Sequence, residues 1–156
     1  MEDIKLEQEI LKLIGHDQDA INFLLVYNEC VHRTDDIIDE KITDAEFILK
    51  TQSLWNNLWN SNLARRFPSL WLVDQLVNNI YADSILWEKE EEPWKRVAAD
   101  VWRHQGQEVV FAVILLVAGR DALREISIHL REKAHKEHLN DNIDYSLVDT
   151  KLAISK

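Results

Sequence analysis

Placed at 100° per residue, the apolar positions of this chain gather into one arc per segment, and the segments end where capping chemistry predicts. Six helices result. The first, about 2–14, carries Ile4, Leu6, Ile10, Leu11, Leu13 and Ile14 on one side, with Gly15 as a left-handed terminator. Asp17 caps a second helix that runs to about Glu40. Thr43, Asp44, Ala45 and Glu46 form a capping box for a third, which packs Phe47, Leu54, Trp55, Leu58 and Trp59. Pro68 suits the first turn of a fourth helix ending near Lys89, and Pro93 opens a fifth that Gly119 closes. Asp121 caps a sixth, which fades near Asn140.

Connections this short favour antiparallel neighbours, so the expected fold is all-α: a single-domain antiparallel bundle of about six helices over 1–140, with a tail at 141–156. Three glycines and two prolines in 156 residues are too few for a many-turned β-sandwich or a Gly-looped nucleotide fold. Hydrophobic residues at 46% and charged residues at 29% are the balance of a chain that buries a core.

Charge narrows the partners. With 28 acidic against 18 basic residues the net charge is −10, which argues against nucleic acid or an anionic membrane. The longest apolar run, 109–118, is about half the roughly 20 residues a membrane-spanning helix needs. The lone Cys30 cannot form an intrachain disulfide and reads as a buried small hydrophobe. An acidic, amphipathic start without a signal-peptide pattern adds to the expectation of a cytoplasmic protein.

Three sets of polar residues sit where apolar ones are expected. In the fifth helix His104 and Glu108, four apart, interrupt the line Val97, Val101, Phe111, Ala112, Leu115. An unpaired carboxylate there would be costly, so Glu108 needs a partner or a metal. In the fourth, Asn79 and Asp83 lie on the apolar strip of Leu72, Leu76 and Leu86. In the second, Glu29, His32, Asp36 and Asp39 make a ridge of oxygen and nitrogen ligands beyond a start that is apolar all round. The plain alternative for each is a satisfied core pair or a solvated face.

The string Asp35-Asp36-Ile37-Ile38-Asp39 resembles the first aspartate-rich motif of isoprenoid diphosphate synthases, and Asn79-xxx-Asp83 is similar to the second metal motif of class I terpene cyclases. The resemblance implies Mg²⁺ held against a diphosphate. It stops at these two strings: the arginines of the first motif are missing, Trp87 stands at the acidic position of the second, and the chain is not assigned to either family. Glu29/His32 and Glu132/His135 repeat the Glu-x-x-His spacing of di-iron bundles, but the second pair falls on a charged face.

The expected function is a helical-bundle enzyme that uses Mg²⁺ or Mn²⁺ on Asp36, Asp39, Asp83 and Glu108 to act on a phosphate-containing small molecule. His32 and His104 are the candidate acid and base. Arg33, Asn79 and Arg103 are candidate substrate contacts, with Arg65 a further cation in reach of an anion. The competing expectation is a non-catalytic module that binds a protein or a second copy of itself through aromatic surface. Six tryptophans, Trp55, Trp59, Trp71, Trp87, Trp94 and Trp102, are several times the usual share. Trp71 lies off the main apolar arc of its helix and marks the candidate homo-oligomer surface.

Overall fold

A computed structural model describes residues 7–139, and among them every regular element is helical. The order is α1 (Gln8–Ile14), α2 (Gln18–Asp39), α3 (Ala45–Trp59), α4 (Asn62–Arg66), α5 (Ser69–Glu88), α6 (Pro93–Arg103), α7 (Gln107–Ala118) and α8 (Arg120–Leu139), with a 3₁₀ turn at His104–Gly106 between α6 and α7. The all-α expectation is met. The tail at 141–156 lies outside the described residues.

The starts of the helices follow their caps. Asp17 accepts the Ala20 N–H at 3.1 Å and opens α2, while Arg66 reaches back from α4 to the same carboxylate at 2.8 Å. The hydrogen bond from Arg66 holds the Asp17 carboxyl below the usual carboxylate range. In the expected capping box it is Asp44, not Thr43, that caps α3, accepting from Phe47 N–H at 2.9 Å. Pro93 takes the first position of α6, where its missing N–H costs nothing. Gly119 ends α7 at φ +89°, a conformation that excludes ordinary side chains. Gly15 is different: its φ of −60° is right-handed, so it does not terminate α1 by a left-handed turn.

The expected fifth helix is two. Residues 104–106 tighten into the 3₁₀ turn, so α6 packs on α5 whereas α7 packs on α8, α1 and α5. Gly106, between two glutamines, is the weak point of the line. One cluster fills the interior: Ile10 and Ile14 of α1, Phe23, Leu24 and Tyr27 of α2, Leu58, Leu63 and Leu70, and Val109, Phe111, Val113 and Ile114 of α7, closed by Ile126 and Leu130 of α8. Aromatic edges lock α3 to α2, with Trp59 against Phe23 and Trp55 against Tyr27. The Trp55 indole also donates to Thr34 Oγ1 at 3.1 Å, so its polar end is satisfied. Cys30 is buried as expected, and burial pushes its thiol up to about 12.

Candidate functional site

Behind the 3₁₀ turn lies a cleft of about 220 Å³, bounded by α2, α5 and the α6–α7 junction. Tyr27, Val31 and Val77 give it an apolar wall, and His32, Asp35, Asn78, Tyr81, Arg103 and His104 supply polar groups. His104 reaches the cleft from the first position of the 3₁₀ turn, directly after the last residue of α6. His104 Nδ1 is 2.7 Å from the Asp100 carbonyl oxygen. A carbonyl only accepts, so Nδ1 carries the proton and the neutral ring keeps its lone pair on Nε2.

The floor of the cleft is built from α5. Asn78 Nδ2 donates to Asp74 Oδ2 at 2.9 Å, and Asp74 is 1% exposed. Burial raises its carboxyl to about 6, the Asn78 hydrogen bond only partly opposing the shift. Asp74 also lies near enough to Tyr27 and Cys30 for its charge to raise both groups, although burial is the larger cause in each. One turn on, the Tyr81 hydroxyl donates to Asp35, and burial, ahead of this bond, keeps the phenol protonated far above its ordinary range. Arg103 is clamped from outside by Glu88 at 2.8 Å and Asp39 at 3.6 Å.

Among the described residues two buried side-chain polar atoms make no hydrogen bond, Asp74 Oδ1 and Arg103 Nε. Arg103 is in the wall of this cleft, and Asp74 is bonded to a residue that lines it. Buried polar groups are nearly always paired, so an unmatched donor and an unmatched acceptor beside one cleft require an explanation.

Of the residues singled out from sequence, His32, Arg103 and His104 meet here. The rest do not. Arg33 turns to α3, where its guanidinium covers the Phe47 ring at 4.0 Å and donates to Thr51 Oγ1 at 3.1 Å and the Phe47 carbonyl at 3.3 Å, so it holds two helices together. Asn79 and Asp83 are exposed on the far side of α5; Asp74 is the buried polar residue of this helix, and Asn78, exposed at the cleft, donates to it. Glu108, separated from His104 by the 3₁₀ turn, is paired with Arg131 of α8 at 2.5 Å. Asp36 is exposed, and Asp39 stands on the rim against Arg103. The four carboxylates therefore do not surround one point, and among the described residues no three His, Cys, Asp or Glu side chains group as metal ligands.

Sequence reasoning missed Asp74, Asn78, Tyr81 and Asp35 as site groups. The signal for the first two is present, since Asp74 and Asn78 have the same four-residue spacing as Asn79 and Asp83. Apolar residues surround α5 on every side, so its helical wheel did not say which pair faces in. Among the described residues no helix is long and apolar enough to cross a membrane. The sequence matches no protein-family model, and no curated protein or solved structure is significantly similar to it.

Proposed function

We propose that the cleft binds a small polar molecule and carries out acid–base chemistry on it. The observation that carries this reading is the buried and unmatched Arg103 Nε–H in the wall of the cleft, with a second unmatched atom, Asp74 Oδ1, on the residue to which the lining Asn78 is bonded. A ligand oxygen would accept from Arg103 Nε while its apolar body rests on Tyr27, Val31 and Val77. His104, with Nδ1–H fixed on the Asp100 carbonyl, is oriented to take a proton at Nε2, and His32 at the rim is the corresponding acid.

The phosphate-containing substrate expected from sequence narrows accordingly. Glu88 and Asp39 already offset the charge of Arg103, so the cleft offers one directed N–H and little free positive charge. A phosphodiester or a neutral carbonyl compound suits that better than a dianionic phosphate monoester. Mg²⁺ or Mn²⁺ on Asp36, Asp39, Asp83 and Glu108 is not part of the reading, because those groups do not converge.

The test is a thermal-shift and NMR titration against phosphodiesters, phosphomonoesters and neutral carbonyl compounds, with and without Mg²⁺ and EDTA. A true ligand at a hundredfold excess over Kd should add about 2.7 kcal/mol to stability. Arg103→Lys keeps the charge but loses the Nε–H and should abolish the shift. A shift that survives Arg103→Lys, or one that needs Mg²⁺ and disappears in Asp36→Asn with Asp83→Asn, overturns the reading. A second, non-catalytic reading is favoured by a separate observation, the exposed apolar side of α5.

A further inference from the structure

The cleft uses one side of α5, and the opposite side is unusual for a surface helix. Leu72, Leu76 and Leu86 are 57%, 61% and 68% exposed and, with Asn79 and Asp83, follow one another at intervals of three or four residues. Trp71, 53% exposed, flanks the stripe. A row of exposed large apolar side chains on one helix face marks a surface that meets a partner.

The order of residues along the stripe identifies that partner. Laid against an antiparallel copy of itself and centred on Asn79, the stripe meets a complementary row, in which Leu76 faces the exposed Ala82. Leu72 falls opposite Leu86, Gln75 opposite Asp83, and Asn79 opposite the Asn79 of the second copy. The carboxylate that interrupts the apolar line thus meets an amide donor, and the amide at the centre meets an amide, which has both a donor and an acceptor. The ends match as well: the exposed Arg65 precedes α5 and the exposed Glu91 follows it, so each pair of ends joins unlike charges.

We propose that α5 is a two-fold interface at which a second copy of this chain packs antiparallel, with Leu72, Leu76 and Leu86 as its apolar contacts and Gln75–Asp83 and Asn79–Asn79 contacts setting the register. The symmetry is that of an isologous dimer, in which one patch meets itself. α5 is about 30 Å long at 1.5 Å per residue. A single helix face of that length falls short of the roughly 800 Å² per partner of a standard stable interface, so the dimer is a reversible one. Net charge −10 on each copy acts in the same direction.

Sedimentation velocity of the full chain, from about 1 to about 200 μM, reads the outcome by mass action. The wild type should move from a mass of 18.3 kDa towards twice that value as concentration rises. Leu76→Glu, at an exposed position that leaves the bundle folded by circular dichroism, should stay at 18.3 kDa throughout. Gln75→Glu sets two carboxylates against each other and should weaken the dimer about tenfold, and adding Asp83→Lys should restore it. A wild type that remains monomeric overturns the proposal, whether the stripe then serves a different protein or is shown, by association on deleting residues 140–156, to be covered by the chain's own end. Dimerisation that ignores Leu76→Glu, or that Asp83→Lys fails to rescue in Gln75→Glu, overturns it equally.

Discussion

Along α5 the inward face holds Asp74 and Ser84 beside Leu70 and Val77, whereas the outward face carries Trp71, Leu72, Leu76 and Leu86. Composition alone would place these the other way round: burying a large apolar side chain gains roughly 1.5–3 kcal/mol, and burying an unpaired carboxylate costs free energy. The inward face is the one that borders the cleft; Ser84 is satisfied by the Tyr81 carbonyl, and on the proposed reading the cost of Asp74 is recovered when a ligand is bound. The outward face loses nothing if it, too, is covered. The two faces therefore teach the same lesson from opposite sides, that a helix can be packed for what it meets later as well as for the core it joins.

The comparison breaks most visibly at paired leucines. Leu70→Ala, from a fully buried site, should lower the unfolding free energy by about 2–5 kcal/mol in urea titration, while Leu72→Ala two residues on should change it by less than about 0.5 kcal/mol in dilute solution. Equal effects would mean that the inward and outward faces are wrongly assigned.

Asp74 gives the next largest effect. Its folded carboxyl titrates near 6 against an ordinary 3.8, so between those values the folded state holds a proton that the unfolded chain has released. Stability from this group is therefore greatest below about 3.8 and falls as pH rises, with the full loss reached above about 6. Asp74→Asn should raise stability at pH 7 by about 2–3 kcal/mol and remove that part of the pH 4–6 slope, measured by thermal melts across the range. A less stable Asp74→Asn protein would show that the ionised carboxylate has a partner.

Ser84, buried on the same face, donates to the Tyr81 carbonyl at 2.6 Å, and Ser84→Ala should cost about 1 kcal/mol. The smallest expected change is Leu76→Glu, within about 0.5 kcal/mol of wild type in monomer stability, even though the same substitution should abolish association.

The helices were legible in the sequence because their ends are written in short-range chemistry: Asp17, Asp44, Pro93 and Gly119 act on neighbours within one turn. The 3₁₀ turn at His104–Gly106 was not, since a periodic apolar line runs through it and only Gly106 hints at the break. That miss carried Glu108 into the wrong site, for spacing of four residues implies one face only while the helix is continuous. His32, Arg103 and His104 were found because each is a conspicuous polar residue near an apolar stretch. Asp74 and Asn78 were not legible because the rotation of α5 about its axis is decided by α6 and α7, and periodicity within α5 contains none of that.

The same 3₁₀ turn has a mechanical consequence. A continuous α-helix over 93–118 would be a single rod of about 39 Å. Broken at His104–Gly106 it becomes two segments, both laid against α5 and the second also against α8 and α1. A ligand bound at His104 and Arg103, as proposed, would sit at the junction of those two segments, and through them its effect would reach α5, α8 and α1.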